Sequence, residues 1–370
     1  PGGWDAPEAR GLAERAIERR RAVTRDSALA DYRAHATGHV YFFFDLGPGT
    51  ARHVVKADQV ALDLYWRAPD LTRQVIVGRR EEKRFPTDIH YHVDHLTVVM
   101  DNFGDRIRVG EGDEVQDALH PAAPGALAFY EYRFADSLTL RLPDGEIRVV
   151  GLEVRPRDVS RAGIVGTVYL DRATAAIVRM DFTFTAASYL DSQIQYIQIV
   201  LENSLWQRRY WLPWRQGVEL RRELEWLDFP AGGVIRAQFR IGDYAFNTGL
   251  PDEVLRRGRV SQAPEPERRA YPFERDLYAG LRADELRLDA DLRALAPQAV
   301  ELVGRRYLEG LTRRPRWFAA GGSSWLRYRR AEGLYLGLGA SADVAGLRAS
   351  ATGGYAIHAH RWEGTLRAEW

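Results

Sequence analysis

Apolar and polar residues alternate with a period of two through the middle of the chain, most clearly between Gly163 and Trp226. From Ala176 to Thr185, Ala176, Val178, Met180, Phe182 and Phe184 fall on one side and Ile177, Arg179, Asp181, Thr183 and Thr185 on the other. Successive strand residues point to opposite faces, so this is the signature of a half-buried β-strand. Between Trp214 and Trp226 the pattern returns, with Trp214, Val218, Leu220, Leu224 and Trp226 opposed to Arg215, Glu219, Arg221, Glu223 and Glu225. One apolar and one wet face predict an antiparallel sheet.

Ahead of this stretch, Pro7 to Arg33 reads as a helix with Leu12, Ala16, Ile17 and Val23 on one stripe, which makes residues 1–33 a helical N-terminal element. Strands are expected at His39–Leu46, His53–Trp66, Asp70–Val77, His90–Met100, Ala128–Phe134, Leu138–Leu142, Ile147–Val154 and Ile164–Leu170. After the central stretch come Ile194–Leu201, Leu205–Leu212, Trp214–Trp226 and Val234–Ile241, with Pro213 as an interruption. Glu81 to Arg84 reads as a charged turn, Gly110 to Pro124 as a polar loop, and Pro143-Asp144-Gly145-Glu146 as a hairpin turn. Residues 34–247 therefore predict a mainly β domain, one large antiparallel sheet or half-barrel of about a dozen strands.

The pattern changes after Gly249. Residues 248–312 read as a linker, with prolines at 251, 264, 266 and 272, followed by two short helices at Ala283–Leu295 and Pro297–Leu308. From 313 to 370 a second kind of alternation sets in. Leu334, Leu336, Leu338 and Ala340 share one face, as do Leu347, Ala349, Ala351, Gly353, Tyr355 and Ile357, and then Trp362, Leu366, Ala368 and Trp370. Arg348, Ser350, Thr352 and His358, and Arg361, Glu363, Arg367 and Glu369, take the opposite positions. Strands of about ten residues with an apolar outside and a polar inside are those of an outer-membrane barrel. Three such strands cannot close a barrel, so on this reading the chain continues beyond Trp370 and is a fragment.

Composition narrows the function. Lys+Arg of 52 against Asp+Glu of 51 leaves a net charge of +1, which argues against a nucleic-acid partner. Only Lys56 and Lys83 are lysines. The absence of cysteine excludes disulfides, thiolate metal sites and a cysteine nucleophile. No apolar run is long enough for a transmembrane helix, and no signal segment opens the chain, so Pro1 reads as a cut from something longer.

Several stretches carry a resemblance: Leu12 to Arg20, Gly166-Thr167-Val168-Tyr169-Leu170-Asp171-Arg172-Ala173-Thr174, Tyr210-Trp211-Leu212-Pro213-Trp214-Arg215-Gln216 and Tyr328-Arg329-Arg330-Ala331-Glu332-Gly333-Leu334. Through them nearly the whole chain resembles a group of large Gram-negative outer-membrane proteins of unknown function, in which a multi-stranded periplasmic domain precedes a membrane β-barrel. Many members carry a carboxypeptidase-regulatory-like domain ahead of the helix, of which Pro1 to Trp4 is here at most the trailing edge. The strand, Asp-Arg-Ala-Thr turn and strand are also similar to periplasmic lipoprotein-carrier sheets, which hold acyl chains. That similarity implies a hydrophobic concavity lined by Val178, Met180, Phe182, Phe184, Trp214 and Trp226; the plainer reading is that these side chains pack a core. It implies an envelope location, outer-membrane lipid as a partner, and a lipid, a lipoprotein or another envelope protein as cargo. It brings no catalytic residues and no cofactor.

One motif points elsewhere. His90-Tyr91-His92-Val93-Asp94-His95 matches the His-x-His-x-Asp-His string of the metallo-β-lactamase superfamily, where zinc activates water. The flanks read as strand rather than as the start of a helix, and His95 then falls on the face opposite His90, His92 and Asp94. No metal, catalytic or cofactor residue is therefore assigned. Glu111, Asp113, Glu114 and Asp117 read as a solvated acidic loop. The expectation is a non-enzymatic, outer-membrane-anchored envelope protein whose periplasmic β-domain binds or passes on a hydrophobic or protein partner. The alternatives are a metal-dependent hydrolase built on residues 90–95 and a soluble two-domain β-protein.

Overall fold

A computed structural model describes residues 3–45, 53–83, 103–109, 114–142, 145–191, 194–226, 229–256, 259–281, 316–318, 326–329, 333–344, 347–356 and 361–369. Two compact units are present, the first built mainly from residues 1–299 and the second mainly from 300–370.

The first unit opens with helix α1 (Pro7–Thr24) and continues into strands β1 (Asp31–Asp45), β2 (His53–Arg67) and β3 (Leu71–Lys83). A two-stranded ribbon, β4 (Arg106–Ile107) with β5 (Ala118–Leu119), and a single helical turn, α2 (Ala126–Phe129), follow. A meander then runs through β6 (Tyr130–Leu142), β7 (Gly145–Pro156), β8 (Ile164–Asp171), β9 (Ile177–Phe184), β10 (Ile194–Trp206), β11 (Tyr210–Trp226) and β12 (Phe229–Phe246). Helix α3 (Asp252–Arg256), β13 (Val260–Gln262) and α4 (Glu265–Ala270) are the last described elements of this unit. The strands form one eleven-stranded sheet in the order β13-β3-β2-β1-β12-β11-β10-β9-β8-β7-β6. It is mixed, because β13 joins β3 in parallel while the hairpins are antiparallel. Where β12 meets β1, the Asp31 carboxylate accepts the N–H groups of Thr248 (2.6 Å) and Gly249 (3.0 Å), which fixes the chain as it leaves the sheet.

Most elements lie where the alternation puts them, but several boundaries move. Helix α1 stops at Thr24 rather than Arg33, and Asp26 Oδ1 accepts the Ala28 N–H at 2.9 Å, a local turn that turns the chain into β1. Glu81, Glu82 and Lys83 continue β3 instead of turning. Residues 130–142 form one strand, not two, with extra residues at Ala135 and Asp136 absorbed as a bulge. Pro213 does not interrupt: it sits within β11, opposite Asn203, at a register shift that gives Trp214 no partner residue on β10. The His-x-His-x-Asp-His string, the helices expected at 283–308 and the turn residues 143–144 lie outside the described residues.

Each face of the large sheet is covered by chain. Helix α1 buries Ala9, Leu12, Ala13, Ala16, Ile17 and Arg20, one stripe at helical spacing, and its three alanines permit close approach. This stripe joins one core with Val60, Leu62 and Trp66 of β2, Leu152 and Val154 of β7, and Phe182 of β9. The other face carries Tyr41, Phe43, Ala57 and Val234, packed against Leu277, Tyr278 and Leu281. Residues 249–281 are therefore not a free linker. They run along the β3 edge and then across this second face, where His35 Nε2 meets the Tyr271 hydroxyl at 2.7 Å and Tyr41 donates its hydroxyl to Leu277 O at 2.9 Å. We call the two sides the helix face and the strap face.

The second unit is a five-stranded antiparallel sheet of β14 (Arg316–Phe318), β15 (Leu326–Arg329), β16 (Gly333–Val344), β17 (Leu347–Ala356) and β18 (Arg361–Glu369). Its register aligns the apolar rows Leu336, Tyr355 and Trp362; Leu338, Gly353 and Gly364; and Ala340, Ala351 and Leu366. Alternate rows are polar, as in Asp343, Arg348 and Glu369.

Candidate functional site

The expected binding surface is the apolar side of the central strands, and the structure gathers only part of it. Met180, Phe182 and Phe184 lie together in the helix-face core. Val178 does not join them. A bulge pairs Leu170 with Ile177 and Tyr169 with Arg179, so Val178 is the extra residue and Ile177 takes its place against the core. Trp214 is displaced in the same way by the bulge beside Pro213, and it is 39% exposed. The side chain of Trp226 lies outside the described residues.

Much of the helix face is already occupied by this chain. Besides α1, the segment expected to be a polar loop sends Val115, Ala118, Ala122 and Ala123 into the interior. Tyr130 and Tyr132 anchor it by donating their hydroxyls to Leu119 O (2.6 Å) and Pro121 O (2.7 Å). Glu114 is buried rather than solvated, and Asp117 pairs with Arg108 at 2.7 Å. His120 is buried, its Nδ1 accepts the Ala122 N–H at 2.9 Å, and burial, with Arg20 nearby, pushes its pKa well below the ordinary imidazole value. Between the last turns of α1 and the β8–β9 turn a cleft of about 50 Å³ remains, bounded by Arg19, Phe103, Ile177, Asn203 and Trp211. That volume admits a few waters but no acyl chain.

Near the other end of β2 the face turns ionic. Val60, Leu62 and Trp66 alternate into the apolar core, and the same parity carries Lys56 and Asp58, opposite Phe42 and Val40 of β1. Asp58 is 0% and Lys56 4% exposed, and Lys56 Nζ stands 3.0 Å from Asp58 Oδ2. Glu81 Oε2 lies 3.2 Å from the same ammonium and 3.1 Å from Arg79 Nη2. Burial raises the Asp58 pKa against the opposing pull of Lys56 and Arg79. Among the described residues no group of three or more His, Cys, Asp or Glu has the arrangement of a metal site.

No protein-family model matches the sequence, and no curated protein matches it. Solved structures do share a likeness. An outer membrane lipoprotein-sorting protein domain from Vibrio parahaemolyticus is 13% identical over 65% of this chain and 96% of that one, with a TM-score of 0.28. Lipovitellin, in a structure of its lipid–protein interactions, is 9% identical over 60% of this chain and 26% of that one, at 0.29. The Pseudomonas aeruginosa MucA/MucB complex is matched at 12% identity over 69% of this chain and 98% of that one, at 0.18. All three scores lie below 0.5, and the functional reading rests on the geometry of this chain.

Sequence reasoning missed the ionic group. The signal was present: two charged residues stand in β2 where the alternation demands apolar ones, and one of them is among the only two lysines in the chain. It also missed the strap-face network, in which Arg236 Nε donates to Glu219 Oε2 at 2.7 Å and the Tyr196 hydroxyl to Glu219 Oε1 at 2.5 Å, Glu219 and Arg236 both being buried. Glu219 belongs to the side expected to be wet.

Proposed function

We propose that the protein is a non-enzymatic envelope protein, anchored in the outer membrane by residues 313–370 and presenting the β-domain of residues 34–247 to the periplasm. There the domain binds or passes on a hydrophobic or protein partner, with lipid, a lipoprotein or another envelope protein as candidate cargo. Residues 248–312 connect the two parts, and the second sheet is the start of a barrel.

The observation that carries this reading is the amphipathic second sheet. Trp362 and Leu366 stand on one side of β18, 80% and 83% exposed, in rows that are apolar across three strands. Water opposes exposure of such a surface, whereas bilayer hydrocarbon accepts it. Strands β16, β17 and β18 contain 12, 10 and 9 residues, each long enough for the roughly 9–11 that a tilted strand needs to cross.

The test is reconstitution of the full chain into vesicles containing lipids brominated along the acyl chain. Tryptophan fluorescence is expected to be quenched, and Trp362→Phe is expected to remove part of the quenching. Leu366→Arg is expected to reduce insertion, since a cation on the lipid face costs about 2–4 kcal/mol at mid-bilayer. A chain that stays with the aqueous fraction and shows no quenching refutes the proposal.

A further inference from the structure

The cleft beside the last turns of α1 carries charge of one sign between apolar walls. Phe103, Ile177 and Trp211 bound it, Arg19 and Arg20 line it from the helix, and its described lining residues include no carboxylate. Arg20 is buried and already served, because its Nη2 donates to Gly104 O and its Nη1 lies 3.7 Å from Asp105 Oδ1. Arg19 is placed differently. Its Nε is buried and has no hydrogen-bond partner among the described residues. On α1 the positions three and four residues away from it hold Arg15, Ala16, Ala22 and Val23, so its own helix offers no acid at pairing distance. Asp26, whose carboxyl feels the Arg19 charge, is committed to the Ala28 N–H at 2.9 Å and to Arg209 Nη2 at 2.7 Å. Across the cleft, Asn203 Nδ2 donates to Ile177 O at 2.8 Å, which fixes that wall.

We propose that this cleft binds a carboxylate carried on one or two carbons, held by the Arg19 guanidinium with its short stem against Phe103 and Trp211. Room of about 50 Å³, enough for a few waters, is the space such a group fills. A buried donor without an acceptor costs free energy, and an arriving carboxylate removes that cost. Its hydrogen bonds to a guanidinium are charge-assisted, and apolar walls strengthen them. The same group can come as a free short-chain acid or as the glutamate or aspartate side chain of a protein partner. Only the second source rests on the proposed partner-binding role of the first unit.

The experiment is ligand-observed saturation-transfer NMR on the full chain. Propionate and its neutral isostere propionamide are the free probes, and the capped peptides acetyl-Gly-Glu-Gly-amide and acetyl-Gly-Gln-Gly-amide are the side-chain probes. Propionate is expected to bind about tenfold more tightly than propionamide, and Arg19→Gln to weaken propionate by about tenfold, a change of about 1.4 kcal/mol, while propionamide is unaffected. Arg19→Lys keeps the charge without the Nε donor and is expected to fall between. Arg25→Gln removes the same charge from the exposed C-terminal end of α1 and is expected to leave propionate binding as it was. Equal binding of acid and amide, or equal weakening by Arg19→Gln and Arg25→Gln, overturns the site. Tighter binding of the Glu peptide than of the Gln peptide, lost in Arg19→Gln, supports the site with a protein side chain as its source. Propionate bound while both peptides are excluded supports it with a free acid as the source. If no probe binds, the cleft site is refuted, and the quenching test of membrane anchoring is unaffected.

Discussion

The ring of Tyr271 occupies the space that a side chain on Gly78 would need: a Cβ there would lie 2.7 Å from Tyr271 Cβ and Cδ1, and nearer still to Cγ. Gly78 thus seats the strap on the sheet at the point where β2 and β3 shift register. Gly78→Val is expected to lift residues 259–281 and cost about 1–3 kcal/mol, as overpacking commonly does. Limited trypsin digestion checks it: cleavage after Arg268, Arg269 and Arg275 should become much faster while the sheet persists. Unchanged cleavage would show that the strap does not depend on this contact.

Arg236 and Glu219 are buried together on the strap face. Removing one partner leaves an uncompensated charge, so Arg236→Met is expected to destabilise by about 3–5 kcal/mol. The double variant Arg236→Met with Glu219→Gln should recover most of that loss. Urea unfolding of the single and double variants measures both values, and equal losses would contradict the pairing.

Helix α1 packs its alanines directly on the sheet, with Ala13 only 2% exposed. Ala13→Leu inserts three extra carbon atoms into a closed contact and is expected to displace the helix at a cost of about 1–3 kcal/mol. An environment-sensitive dye should then bind the uncovered helix face more strongly than in the parent. Dye binding that stays at the parent level would mean that the helix is not what covers that face.

His120 sets a pH dependence. Its folded pKa is depressed by burial, so the neutral ring is the folded form while the unfolded chain takes up a proton near pH 6.5. The stabilisation is complete above that value and is lost as pH falls below it, at up to about 1.4 kcal/mol per pH unit. His120→Asn keeps an acceptor for the Ala122 N–H and removes the titration. Between pH 7.5 and 5.5 the variant should lose less stability than the parent, by roughly 1 kcal/mol. Parallel losses in urea unfolding would rule out His120 as the source.

Period-two patterning made the strands legible one at a time. Met180, Phe182 and Phe184 could be assigned to a core face because alternation is a local property of the pleated backbone. The amphipathic rows after Trp317 were readable for the same reason. The bulges at Val178 and Trp214 were not, because an extra residue is defined only against the partner strand, and each one moved a side chain from the expected lining to another place.

What the sequence determined by itself was therefore the mainly β character, the two kinds of alternation and the helix stripe of Leu12, Ala16 and Ile17. Tertiary structure decided which strands pair: β12 returns to β1, nearly two hundred residues earlier in the chain, a contact that no local pattern encodes. It also decided what covers each face. Pro-rich residues 249–281 read as a linker because their own composition lacks a core pattern, yet they become a strap since Tyr41, His35 and Gly78 supply the surface they bury against. Lys56 and Asp58 follow the same logic. Their place at apolar positions of the β2 alternation was visible, and only the partner strands, by bringing Phe42, Arg79 and Glu81 around them, made them a buried ionic group on an apolar face.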